Sequence, residues 1–228
     1  MKKTIKYIIS ITFIISAFLG IVHYCCFNEN FYDKEHSKIM LYGKHINEHI
    51  GISNEELKEL THFTLEYLND YDLSLDKEMS IKGQIREVFT EDEKTHMIDV
   101  RKLNINSVYI CIIAFIIFVL CSIIFIIKYK DFNDLYLIYK KVLINCLIFI
   151  TFLAIWAIFD FDSFWTLFHH IFFAGNDLWL LDLRTDILIM IVPPEFFNDL
   201  VIRIIELFIV AIVLFGLALK LLRRKQND

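Results

Sequence analysis

Glycine and proline are scarce in this chain, six and two among 228 residues. No glycine stands in a phosphate loop or a dinucleotide-binding fingerprint, so nothing points to a nucleotide cofactor. The cysteines (Cys25, Cys26, Cys111, Cys121 and Cys146) lie within or at the edges of apolar runs, without the paired spacing of a metal site, and read as small packing residues. Residues 28–104 contain no cysteine at all, which excludes a disulfide-built segment. An excess of positive charge is also missing. The net charge is −5, and residues 28–104 hold 17 Asp and Glu against 10 Lys and Arg, a balance that argues against nucleic acid as a partner. Neither Ser107 nor Ser163 sits in a nucleophile elbow, and no internal repeat or low-complexity stretch interrupts the chain.

What is abundant is apolar side chain. Hydrophobic residues make up 57% of the sequence, above the roughly 45–50% of a soluble domain. Four runs, residues 7–27, 108–127, 142–161 and 200–222, reach the length of about 20 residues that a helix needs to cross a hydrocarbon core about 30 Å thick. They predict a mainly α, four-transmembrane-helix integral membrane protein. Basic residues cluster before the first run (Lys2, Lys3, Lys6), between the second and third (Lys128, Lys130, Lys140, Lys141) and after the fourth (Arg223, Arg224, Lys225). With four spans all three clusters fall on one side, so the positive-inside rule puts both termini in the cytoplasm.

Five stretches follow: 1–27, a cytoplasmic start and first span; 28–104, an extracytoplasmic, mostly helical segment; 105–161, two spans joined by a basic cytoplasmic loop; 162–198, an aromatic interfacial segment; and 199–228, the last span and a basic tail. The first run has the basic start of a cleaved leader, but "IVHYCC" offers no small-residue cleavage site and reads as a retained anchor.

Within 28–104, "SNEELKELTHFTLEYL" opens with Ser53 and Glu56 at capping-box spacing and sets Leu57, Leu60, Thr64, Tyr67 and Leu68 on one face, the pattern of an amphipathic helix. Thr90 and Glu93 make a second box that starts "TEDEKTHMIDVRKL", a helix running toward the second span. Between them "DLSL" and "IKGQI" alternate as a short strand pair does.

Two places carry ionisable groups in unusual settings. On the helix that starts at Thr90, Asp92 and Asp99 share the face of His96, and either is placed to orient its imidazole. Residues 162–198 are strongly aromatic yet hold Asp162, His169, His170, Asn176, Asp177, Asp182, Arg184, Asp186 and Glu195. Such a stretch is too polar to span and too apolar to float, so it belongs in the interface or dips back under protein cover. "AGND" supplies a turn and "VPP" breaks the chain before the last span. Ionisable residues at membrane depth are functional candidates. His36, His45, His49 and His62 lack that aromatic setting and are expected to tolerate replacement.

"EDEKTHMIDVRKL" and, one hairpin of spans later, "FHHIFFAGNDLWLLDLRTDILIMIVPPEFF" resemble the Lit family, the membrane-bound lipoprotein intramolecular transacylases of Gram-positive bacteria. The resemblance covers nearly the whole chain, including the four-span layout. It implies transfer of a fatty acyl chain within a lipoprotein, from the sn-2 ester of the diacylglyceryl cysteine to the α-amine of that cysteine, giving an N-acyl lyso form. It also implies a bacterial cell-membrane location, diacylglyceryl lipoproteins as substrate, membrane lipid as surroundings, and no cofactor or metal.

Two histidines implicated in the family match His96 and His169. His169 is taken over His170 because it directly follows the aromatic residue. In that chemistry His96 is the base for the attacking amine and protonated His169 the donor to the departing glycerol oxygen. The oxyanion falls to Arg184, Asn176 or a backbone amide of "AGND", with Asp92, Asp99, Asp177, Trp179 and Asp182 as further orienting or substrate-binding candidates. Two other readings compete: a metal-dependent membrane hydrolase with His96, Asp99, His169 and Asp177 as ligands, and a non-enzymatic membrane scaffold.

Overall fold

The computed structural model describes residues 2–227. Four helices are long and apolar enough to cross a membrane: α1 (Lys2–Cys26), α5 (Glu91–Lys128), α6 (Phe132–Phe159) and α9 (Pro194–Asn227). The chain forms two compact units.

One unit holds residues up to His23, Ser107–Phe164 and the chain from Ile202 onward. Its core is Ile9, Phe125, Leu135, Tyr139 and Leu219, with the Phe13 and Phe215 rings stacked at 3.8 Å. The Tyr139 hydroxyl, buried among apolar helices, donates to the carbonyl of Ile212 at 2.5 Å, as a polar group without access to water must. At the start of α1, Lys6 has no exposed surface and bridges Asp131 (2.9 Å) and Asp134 (2.7 Å), the N-cap and first turn of α6. Ile113, Phe115, Leu120, Ile148, Phe149 and Phe152 stand exposed on these helices. In water such a surface would aggregate; in lipid it is the solvated face. The 38 residues of α5 extend roughly 57 Å at about 1.5 Å each. That is nearly twice the hydrocarbon thickness, so the helix is longer than a single span needs.

The other unit holds Tyr24–Asn106 and Trp165–Val201. It begins with α2 (Glu29–Lys38), whose N-cap Asn28 accepts from the Phe31 N–H. The β1–β2 hairpin follows (Met40–Leu41 with Lys44–His45), then α3 (Ile46–Ile50) and α4 (Asn54–Asn69). The Ser53–Glu56 box forms in both directions, at 3.1 and 2.7 Å, and α4 buries Leu57, Leu60, Thr64 and Tyr67, along with Thr61 and Leu65. The expected strand pair lies further along the chain than the alternation suggests. The segment "DLSL" is irregular, and Glu78–Ile81 (β3) pairs with Gln84–Glu87 (β4). "IKGQI" is the hairpin's own turn, with Lys82 and Gly83 at φ 53° and 80°. Two successive positive φ values suit the right-handed twist of the flanking strands.

Residues 162–198 are more regular than an interfacial loop. The amphipathic helix α7 (Phe161–Phe172) begins directly after the C-cap of α6, Asp160. The five-residue α8 (Ile187–Ile191) follows the "AGND" turn, where Gly175 has φ 121°. Four of the five α8 side chains are buried.

Candidate active site

The second capping box positions the first histidine. The Thr90 hydroxyl accepts from the Glu93 N–H at 3.3 Å, and Glu93 Oε2 accepts from the Thr90 N–H at 2.6 Å. Glu93 does more than its local pattern discloses. It is fully buried, and its other oxygen accepts from the Leu188 N–H at 2.7 Å. One carboxylate therefore caps α5 and ties α8 to it. Burial raises the Glu93 pKa above the usual carboxylate value, while these backbone donors oppose the rise. At the other end of α8, His36 Nε2 lies 3.0 Å from the Ile191 carbonyl. A carbonyl only accepts, so that nitrogen carries the proton. His36 is thus a buried packing residue of this unit, unlike half-buried His49 and exposed His45 and His62.

His96, one turn after Glu93, is 7% exposed. His169, one turn from Trp165 on α7, is 6% exposed. Far apart in sequence, their ring centroids are 6.1 Å apart, too far for a direct N–H···N bond and close enough for one substrate group to touch both. Phe173 packs against both rings, at 5.0 Å from His96 and 5.5 Å from His169. Trp165 meets His169 edge-on at 5.0 Å, and Trp179 stacks on it at 4.7 Å. His170 is exposed and meets the Trp179 ring edge-on at 5.4 Å.

The two imidazoles differ in what holds them. His169 Nδ1 is 2.8 Å from the Trp165 carbonyl, so Nδ1 carries the proton and Nε2 presents a lone pair. His96 Nδ1 is buried with no hydrogen-bond partner. Burial, then the neighbouring His169, pushes the His96 pKa down to about 4, against a smaller opposing pull from Asp99. Burial also lowers His169, opposed by its bond to Trp165. Both shifts favour the neutral ring.

The remaining candidates are engaged elsewhere. Asp99 pairs with Lys102 (3.1 Å) and accepts from the Asn176 amide at 3.4 Å; it makes no hydrogen bond to His96. Asp92 and Asp177 are exposed. The Asn176 oxygen accepts from the Leu178 N–H, closing its turn. Arg184, with a side chain 75% exposed, forms a forked pair with Asp182 at 3.1 and 2.9 Å. Among the described residues, no three His, Cys, Asp or Glu side chains come together as a metal-binding group.

The family model for the lipoprotein intramolecular transacylase Lit matches residues 7–197. No curated protein matches the chain. Among solved structures, the membrane-integral transacylase Lit from Bacillus cereus superposes with a TM-score of 0.81 at 20% identity, over 100% of this chain and 98% of that one. Two variants of that protein, with one histidine replaced by arginine or by alanine, give 0.76 at 19% identity, over 100% of this chain and 94% and 96% of theirs. At such identity the structural likeness is one of fold. The family match runs from the first span to the first turn of α9, and on it the chain belongs to the Lit family, the membrane-integral acyltransferases known as lipoprotein intramolecular transacylases.

Proposed function

We propose that the chain moves the sn-2 acyl chain of a diacylglyceryl-cysteine to that cysteine's own α-amine, and that His96 and His169 carry the proton chemistry. The observation that supports this most is the pair itself: two buried, neutral imidazoles 6.1 Å apart, one with a nitrogen left unpartnered. The amine has a reference pKa of about 7.7 to 8.0, so it attacks best where nothing protonates it. A site of two neutral imidazoles keeps it that way.

From sequence, His96 is expected to be the base and protonated His169 the donor. The geometry favours a different division. His169, with Nδ1–H committed to Trp165, presents Nε2 as the base, and its carbonyl partner stabilises the imidazolium that forms. His96 Nδ1 accepts the other amine hydrogen and aims the nitrogen lone pair. The amine nitrogen bonds to the ester carbonyl carbon and the π pair moves to oxygen. His169 takes the amine's proton, the C–O bond to glycerol breaks with its electron pair on the leaving oxygen, and His169 returns the same proton to it. An ester and an amine become an amide and a hydroxyl, with no cofactor and no net proton. Because both reactants sit on one molecule, holding them in near-attack geometry supplies much of the rate.

We assign the site to the extracytoplasmic face and both termini to the cytoplasm, on the distribution of Lys and Arg. The test of the histidines is to express His96→Asn and His169→Asn in a host without its own transacylase and score N-acyl lyso-lipopeptide. Activity should fall by about 10² or more at normal protein levels, while His170→Ala stays near wild type. Full activity of both Asn variants would remove the mechanism.

A further inference from the structure

Acyl transfer through a tetrahedral stage needs a donor aimed at the carbonyl oxygen as it gains charge. The two side-chain donors anticipated from sequence are turned to carboxylates. Arg184 is forked onto Asp182, Asn176 donates to Asp99, and His169 gives its Nδ1–H to Trp165. Among the described residues, one buried side-chain donor beside His169 has no acceptor. The Trp179 Nε1 is buried and has no hydrogen-bond partner, and an indole N–H can only donate. The turn that carries it, closed by the Leu180 N–H to the Asp177 carbonyl at 3.0 Å, lays the indole nearly parallel on the His169 ring, at 24° and 4.7 Å.

A buried donor without an acceptor is rare in folded proteins and calls for an explanation. A ligand oxygen placed at the edge of the two stacked rings supplies one.

We propose that Trp179 is a catalytic residue of this site, its Nε1–H donating to the oxygen of the attacked ester carbonyl. The inference rests on the acyl-transfer reading given above. As the amine nitrogen bonds to the carbonyl carbon, the π pair passes to the oxygen and the indole N–H holds that charge. When the pair returns to re-form C=O, the C–O bond to glycerol breaks and the glycerol oxygen takes the proton from His169. The indole neither gains nor loses an atom. Its bond is strongest when the oxygen is most charged, which makes it a rate effect rather than a binding effect.

The experiment compares the full chain in lipid nanodiscs with two variants at this position, Trp179→Phe and replacement of Trp179 by benzothienylalanine, in which sulfur stands where the N–H was. The probe is a synthetic diacylglyceryl-cysteinyl peptide. Both variants should lose about 10²- to 10³-fold in kcat, the usual cost of one oxyanion donor, with KM changed by less than about threefold. The sulfur isostere keeps ring, stacking and volume, so it decides the matter if Trp179→Phe does not fold. Turnover of the isostere within about threefold of wild type overturns the assignment of Trp179 while leaving the function intact. A wild-type chain that releases free fatty acid instead of N-acyl product overturns the acyl-transfer reading and this inference with it.

Discussion

Replacing Glu93 with leucine removes two hydrogen-bond acceptors at nearly constant volume, and the structure separates their costs. The Thr90 N–H that Glu93 Oε2 accepts belongs to an exposed residue, so water replaces that acceptor and the loss is that of a helix cap, about 0.5 to 1 kcal/mol. The Leu188 N–H is different. Leu188 is 6% exposed, its donor reaches Glu93 Oε1 at 2.7 Å, and no water comes in its place. Orphaning a buried donor from a charged acceptor costs about 1.5 to 3 kcal/mol. Through the relation of 1.36 kcal/mol per factor of ten, that is roughly a 10- to 150-fold loss of protection against amide exchange. Hydrogen exchange read by mass spectrometry on peptides covering 183–192 should show it in Glu93→Leu, with the β3–β4 hairpin unchanged as the internal control. Since Glu93 also fixes the turn of α5 that carries His96, activity should fall as well. Protection of Leu188 within about threefold of wild type, in a variant that is otherwise folded, would refute this account of how α8 is held.

Acid should destabilise the chain through His96. Its folded pKa of about 4 lies below the ordinary 6.5, so the folded state disfavours the charged form. There is no cost above pH 6.5, and one that grows as pH falls toward 4. At 1.36 kcal/mol per pH unit the cost reaches about 2 kcal/mol at pH 5. Thermal melting at pH 7 and pH 5 should show His96→Asn losing less stability than wild type by about that amount, and equal losses would contradict the burial argument. Single cysteines placed at exposed Ser80, on β3, and at Gln226, near the end of α9, should differ in labelling by an impermeant thiol reagent in intact cells, Ser80→Cys reacting and Gln226→Cys not. Labelling of both would sink the proposed topology.

The parts of this fold legible in the sequence are those set by local chemistry. The four spans follow from run length, and both capping boxes from a three-residue spacing that closes on itself. The hairpin at 78–87 was harder, because "DLSL" alternates as well as "EMSI" does and only the positive-φ turn at Lys82 and Gly83 fixes the register. The site was legible as residue types and not as contacts. His96 and His169 stand out by setting, but Asp92 and Asp99 promised an orientation that they do not supply. Sharing a helix face does not oblige a carboxylate to turn toward an imidazole when Lys102 and Asn176 offer better partners. Glu93 read as a cap because Thr90 is three residues away; its bond to Leu188 joins elements nearly a hundred residues apart and leaves no local trace. Arg184 looked free because its partner, Asp182, is two residues away on an irregular turn, where no periodicity announces a pair.

The central claim is that one acyl chain moves within one molecule, from the sn-2 oxygen to the α-amine. The most direct measurement mixes two synthetic diacylglyceryl-cysteinyl peptides, one isotopically heavy in both the sn-2 acyl chain and the peptide, the other light in both, with the purified chain in nanodiscs, and reads the N-terminal lipopeptides by tandem mass spectrometry. Only heavy-acyl heavy-peptide and light-acyl light-peptide N-acyl lyso products should form. Mixed products, or acyl chains still on glycerol, would contradict it.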